Sequence, residues 1–255
     1  MKLNSSDFLG IIPARFNSTR LKGKPLMKIG EKTMIEHVYS RASEVLDNLV
    51  VATDDKNIFD TVNNFGGNVV LTKKDHLNGT SRCLEAVDIW SKELEKSFNY
   101  IINIQGDEPL LHEDHIIKVM ECFNDSKTEF ATIAQKLNSS DNLPKDKVFL
   151  VKDTFNFALY FSRYPIPFVR EDEIKEDANE FHQHIGIYGY TIIALEKFQQ
   201  LKPSKLEINE KLEQLRWLEN GGKIKVGTTI YPSFPVDTLE DLISIRKVYA
   251  SKGHL

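Results

Sequence analysis

Short apolar runs and amphipathic stretches alternate along the first half of the chain. "FLGII" (8–12) is apolar without a break and reads as a strand buried on both faces. "TMIEHVYSRASEVL" (33–46) sets Met34, Ile35, Val38, Ala42, Val45 and Leu46 on one helical face, with Thr33 and Glu36 at capping-box spacing. The same logic predicts a strand at 48–53, a helix at 55–66 closed by Gly66 and Gly67, and a strand at 68–72. A helix at 81–94, a strand at 100–105 and a helix at 113–123 follow. Such alternation predicts an α/β fold with a parallel sheet covered on both sides. Ligands of such sheets sit beyond the carboxyl ends of the strands, where the loops after Ile12, Thr53, Thr72 and Gln105 open.

The second half changes character. Strands are expected at 130–137, 148–153, 157–163 and 186–193, with the extended "RYPIPFVR" between two of them. "EINEKLEQLRWLENG" (207–221) reads as one strong helix, 223–231 as a late strand and 238–251 as a closing helix. No linker separates the halves. The expectation is one domain, residues 1–255, with an inserted β-rich lobe at roughly 138–190.

Charge narrows the chemistry. Lys and Arg number 33 against 37 Asp and Glu, a net charge of −4, so no global field attracts nucleic acid, and any anion is held by a local cluster. The two cysteines, Cys83 and Cys122, have no metal-type spacing and read as reduced core thiols. No apolar run is long enough for a membrane helix, and the N-terminus meets proline and arginine too early for a signal peptide, which points to the cytoplasm.

One local cluster stands out. After the first strand, Arg15, Ser18, Thr19, Arg20, Lys22, Gly23 and Lys24 crowd one loop, which is neither a P-loop nor a G-x-G-x-x-G turn. It is a solvated basic turn or a triphosphate cradle, and its position after a parallel strand favours the cradle. "QGDEP" (105–109) sets Asp107 and Glu108 at a strand's carboxyl end, as a hard cation would need, though the same residues also make a plain turn. Asp237 precedes a helix with Thr238 as N-cap and Asp241 at capping-box spacing; it starts that helix, or it supplies a second carboxylate. Asn78, Gly79, Thr80 and Ser81 turn into a helix opened by Arg82, either a capped helix start or a reader of a base edge. His182 and His184 share one face of a strand; without a third ligand they suit sugar or carboxylate binding better than zinc.

Together, "IPARFNSTRLKGKPL", "VATDD", "NGTSR", "NIQGDEPLL", "ALYFSR", "HIGIYGY", "EINEKLEQLRWLENG" and "VDTLEDL" resemble, in order and spacing over about residues 8–250, the 3-deoxy-manno-octulosonate (Kdo) cytidylyltransferases. The resemblance implies a Rossmann-like nucleotide-diphospho-sugar transferase fold: a mixed, mostly parallel sheet flanked by helices, with the inserted lobe dimerising the chain. It implies transfer of CMP from CTP to Kdo with release of pyrophosphate, for lipopolysaccharide synthesis, and dependence on Mg²⁺. Arg15 and Lys24 match the triphosphate cations and, with Asp107 and Asp237, the catalytic set. Asp107 and Asp237 match the metal ligands. Pro13, Ala14, Asn78, Gly79, Arg82 and Gln105 match the nucleotide site. Gln105, Arg163, His184, Tyr188, Glu213 and Gln214 match the sugar site. The chain departs from the family pattern at Lys22, where a proline is usual, at Ser81, where an acid is usual, and across "LPKDKVFLV". Two other readings stand beside this one: a cytidylyltransferase for another keto-acid sugar, a sialic acid or 8-amino-Kdo, and a non-catalytic nucleotide-binding protein.

Overall fold

A computed structural model describes residues 3–17, 20–76, 78–138, 143–144, 147–168 and 180–251. Ser18 and Thr19 of the basic loop, and residues 139–142, 145–146 and 169–179 of the expected lobe, lie outside the described residues. Contacts gather the chain into two compact units, one of residues 4–116 with 233–255 and one of 117–232 with 1–3.

The first unit begins with β1 (Phe8–Ala14), buried along its length except for a half-buried Pro13. A small hairpin, β2 (Lys28–Ile29) and β3 (Lys32–Thr33), leads into α1 (Met34–Ser43), where the Thr33 hydroxyl accepts from the Glu36 N–H. Then come β4 (Leu49–Thr53), α2 (Lys56–Asn64) and β5 (Val69–Leu71). Asp55 caps α2 through the N–H groups of Asn57 and Ile58. The unit continues with α3 (Gly79–Glu93) and β6 (Tyr100–Asn103), and α4 (Glu113–Cys122) starts within it. The strand order is β6-β1-β4-β5, every pairing parallel, with Ala14 opposite Thr53 and Ile11 opposite Asn103. The order reverses direction at β1, so the crevice between β1 and β6 is the topological switch point.

The second unit contains β7 (Phe130–Asn138), β8 (Phe149–Lys152), β9 (Ala158–Ser162) and β10 (Glu180–Thr191). It then adds α5 (Ile192–Gln200), α6 (Lys205–Glu210), α7 (Leu215–Glu219) and β11 (Ile224–Thr229). β10 runs antiparallel to β7 and β8, and β11 parallel to β7. Phe130, Phe198 and Trp217, each 1% exposed, pack as an aromatic core with Tyr190. Finally α8 (Leu239–Ser251) returns to the first unit, where Leu242 and Ile245 pack with Ile29, Met34 and Val236.

The α/β class, with mixed and mostly parallel strands flanked by helices, is as the sequence implies. Two local expectations fail. The stretch 186–193 is not all strand: β10 starts at Glu180, and at Ile192 the chain enters α5, capped by the Thr191 hydroxyl on the Ala194 N–H. The single helix over 207–221 is broken into α6 and α7 at Lys211, whose φ of 56° is left-handed. The break turns α7 so that Leu212, Leu215 and Trp217 bury together, and the side chain of Arg163 caps the carbonyls it frees. Both cysteines are free and buried, as expected. Among the described residues, no helix is long and apolar enough to cross a membrane.

Candidate active site

At the switch point of the first unit lies a cavity of about 320 Å³. Every cation and carboxylate of the triphosphate and metal sets lines it: Arg15, Lys24, Asp107 and Asp237. The walls are completed by Pro13, Ala14, Gly79, Arg82 and Gln105.

Local sequence explains how each arrives. β1 ends at Ala14 and delivers Arg15 to the rim. Gly23 takes φ 70°, a conformation a side chain would strain, and its N–H donates to the Phe16 carbonyl at 2.8 Å. That turn opens a short 3₁₀ segment, Lys24–Leu26, which sends Lys24 inward. The Lys24 ammonium donates to Asp107 Oδ2 at 2.6 Å, to the Val236 carbonyl at 2.7 Å and to Asp237 Oδ1 at 3.3 Å. One cation therefore bridges both carboxylates. The main chain staples the two segments as well, with the Val236 N–H donating to the Asp107 carbonyl at 2.9 Å. Asp241 accepts from the N–H groups of Asp237 and Thr238, the capping box read in the sequence.

The structure separates the acidic neighbours of "QGDEP". Asp107 faces the cavity, whereas Glu108 is buried and accepts from the Ser233 hydroxyl and the Phe234 N–H. Glu108 is thus a structural clamp on the segment that carries Asp237. Arg20 supplies a cation beyond the expected set, its guanidinium 3.0 Å from Asp237 Oδ1. Its side chain is 65% exposed, so the pair adds little stability by itself. Its place in the basic loop was the available signal.

At the far end, Gly79 lets α3 approach β1, since a Cβ there would sit 3.3 Å from the Pro13 ring. Arg82 is fully buried and bonds the Thr72 hydroxyl at 2.5 Å, with Asp54 at 3.3 Å. Burial draws its pKa below the ordinary arginine value, and Asp54 opposes that. Its Nε and Nη2 are buried without a protein partner and the residue lines the cavity, as a donor waiting for a base or phosphate would. Asn78 Oδ1 accepts the Ser81 N–H, so its oxygen serves as the cap of α3.

The expected sugar residues other than Gln105 belong to the second unit. The Arg163 guanidinium donates to the carbonyls of Glu210 at 2.6 Å and Lys211 at 3.2 Å. His184 Nε2 lies 3.0 Å from the Thr132 hydroxyl, and burial pushes its pKa down to about 3. It offers a neutral hydrogen-bonding group at neutral pH, not a charge. The Tyr188 hydroxyl donates to Gln214 Oε1 at 3.3 Å, and burial, then the charge of Glu213, raises its pKa. Gln214 is 3% exposed, and its Nε2 has no protein partner. Glu213 is half-buried beside it.

A basic cavity with two bridged carboxylates at a switch point defines a nucleotide-binding α/β protein of the nucleotidyltransferase kind. The sequence model of the cytidylyltransferase family matches residues 9–224. A 3-deoxy-manno-octulosonate cytidylyltransferase of Parabacteroides distasonis is 44% identical over 244 residues, covering 92% of this chain and 95% of its own. One from Thermodesulfovibrio yellowstonii is 45% identical over 242 residues, covering 91% of this chain and 94% of its own. The solved structure of a CMP:2-keto-3-deoxy-manno-octonic acid synthetase complexed with CTP matches with a TM-score of 0.87 at 34% identity, covering 97% of this chain and 100% of that one. The chain belongs to the cytidylyltransferase family, among the 3-deoxy-manno-octulosonate cytidylyltransferases.

Proposed function

We propose that the chain transfers CMP from CTP to the anomeric hydroxyl of Kdo. The carrying observation is the cavity in which Arg15, Lys24, Asp107 and Asp237 converge beside the unpartnered donors of Arg82. The sugar oxygen forms a bond to the α-phosphorus, the bond from that phosphorus to the bridging oxygen breaks, pyrophosphate leaves, and the hydroxyl proton passes to solvent. Little covalent work falls to the protein, so alignment and charge neutralisation dominate. Arg15, Arg20 and Lys24 neutralise the triphosphate, and Arg82 with the Asn78–Gly79 turn receives the cytosine end.

The donor set fits Mg²⁺, which takes one or two carboxylates and completes its shell with phosphate oxygens. Asp107 and Asp237 would hold it, since Lys24 Nζ already bridges their oxygens. When bound, it would supply a Lewis acid at the phosphate and an acidified hydroxyl. With both carboxylates holding the ion, the Lys24 ammonium would be available to a phosphate oxygen of CTP.

Arg163, His184, Tyr188, Glu213 and Gln214 of the second unit hold the acidic sugar. Gln214 offers a free amide donor to a hydroxyl, and Arg163 has N–H groups beyond the two that cap α6. The chain works as one cytidylyltransferase domain, as a cytoplasmic homodimer serving lipopolysaccharide synthesis. Leu159, Tyr164 and Phe168, exposed by 62%, 81% and 88%, offer apolar surface to a second copy.

The test is a substrate panel with CTP and Mg²⁺ in which pyrophosphate release is read for Kdo, 8-amino-Kdo and a sialic acid. Turnover is expected with Kdo. Turnover with a sialic acid and none with Kdo overturns the substrate; CTP binding with no turnover on any sugar overturns the enzyme reading.

A further inference from the structure

The first two turns of α3 are wired to the loop before them through a pair that does not line the cavity. His76 Nε2 lies 2.5 Å from Glu85 Oε2, and both side chains are largely buried, at 14% and 21% exposed. An ionised carboxylate only accepts, so Nε2 carries the proton of that bond. The other ring nitrogen, Nδ1, lies 3.1 Å from the Ser81 hydroxyl. The same Glu85 oxygen accepts the Lys73 N–H at 2.9 Å. Burial raises the Glu85 pKa, but the bonds from His76 and Lys73 outweigh it and hold the carboxyl below the ordinary glutamate value.

These bonds close on the residues that face the nucleotide. Arg82 Nη1 donates to the Lys73 carbonyl at 3.4 Å and the Thr72 hydroxyl at 2.5 Å. The Lys73 segment is thus gripped at its N–H by Glu85 and at its carbonyl by Arg82, both from α3. Ser81 links His76 to Asn78, since its N–H donates to Asn78 Oδ1 at 2.8 Å and its hydroxyl lies 3.1 Å from both the Asn78 carbonyl and His76 Nδ1, with one proton to share between them. Asn78, Gly79 and Arg82 are therefore held in register by one network whose hub is a single carboxylate oxygen.

We infer that Glu85, together with His76, is a positioning pair for recognition of the cytosine end of CTP: it holds Lys73, His76 and, through Ser81, Asn78 so that the free donors of Arg82 and the turn at Gly79 keep one geometry. Glu85 touches no nucleotide; it acts through Lys73, His76 and Ser81. The inference rests on the CTP-binding reading above. Selectivity for one base needs donors held to within a fraction of an ångström, and a loop tethered only by solvated residues would not hold them.

The experiment is calorimetric titration of the full chain with CTP and with UTP, plus steady-state kinetics with CTP and Kdo, on Glu85→Ala, Glu85→Gln and His76→Gln. Glu85→Ala is expected to weaken CTP binding about tenfold, the scale of losing charge-assisted hydrogen bonds, and to narrow the CTP-over-UTP preference. KM for Kdo and kcat are expected to stay within about threefold of the parent. Glu85→Gln keeps an oxygen for the Lys73 N–H and is expected to recover part of the loss. CTP affinity and base preference unchanged in Glu85→Ala overturn the inference. So does a loss that falls on both substrates and kcat alike, which marks general destabilisation. Should Glu85→Ala not fold, the same readings on Glu85→Gln and His76→Gln decide, a selective loss of CTP affinity supporting the pair and none refuting it. A parent chain that binds neither nucleotide refutes the CTP reading instead.

Discussion

The first unit, which carries the proposed nucleotide cavity, and the second, which carries the expected sugar residues, are built on different plans. In the first unit, loops at the carboxyl edge of a parallel sheet bring charged groups together: Lys24 ties Asp107 to Asp237, and Arg82 keeps Nε and Nη2 without a protein partner. In the second unit, the expected sugar groups sit along one strand and around a helix break, and most already bond protein atoms: Arg163 to two carbonyls, His184 to Thr132, Tyr188 to Gln214. The first plan concentrates charge, which suits a triphosphate. The second holds neutral and capped groups in fixed directions, which suits a polyhydroxylated acid that is recognised by direction as much as by charge.

The sharpest way to break this contrast is Asp107→Asn. Turnover is expected to fall by roughly a thousandfold or more if Asp107 holds the proposed ion, since a metal at the phosphate would supply several kcal/mol to the transition state. Turnover within tenfold of the parent would remove the metal assignment from this end.

At the other end the effects should be smaller and confined to one substrate. Arg163→Met and Gln214→Met are each expected to raise KM for Kdo about tenfold while KM for CTP holds, the scale of one lost hydrogen bond to a charged group. An unchanged KM for Kdo in Arg163→Met would leave Arg163 as a helix cap and nothing more.

Protonation tests the neutrality of the sugar end. Folded His184 stays neutral down to about 3, whereas an unfolded histidine takes its proton near 6.5. Between those values the unfolded chain binds the extra proton, so stability is expected to fall as pH drops below 6.5. The urea midpoint measured at neutral pH and at pH 5 should show that slope, and His184→Asn should flatten it. An identical slope in the variant would mean that His184 is not held neutral by the fold.

The smallest expected effect is on the helix break. Lys211→Gly removes a left-handed strain and should stabilise the chain by about 0.5 kcal/mol, read as a rise in the thermal midpoint. A clear loss of stability would show that the Lys211 side chain, not its backbone, carries the break.

The broken helix shows where local reading stops. "EINEKLEQLRWLENG" has good helix formers throughout, and its break is decided by the burial of Leu212, Leu215 and Trp217 and by the cap from Arg163, none of which is local. The start of α5 is hidden in the same way: the apolar run "GIYGYTII" continues past its cap, Thr191, so periodicity alone extends the strand. Glu108 and Asp107 are indistinguishable in the sequence, yet one clamps Ser233 and the other faces the cavity.

By itself the sequence determined the strand-loop-helix alternation, the caps at Thr33 and Thr238, and hence which loops share an edge. These follow from periodicity and hydrogen bonding within a few residues. Only the tertiary structure decided that Lys24 lies between Asp107 and Asp237, that Arg82 keeps two buried donors free, and that Arg163 closes a helix. Those arrangements depend on which distant segments meet, and that is set by packing the whole core.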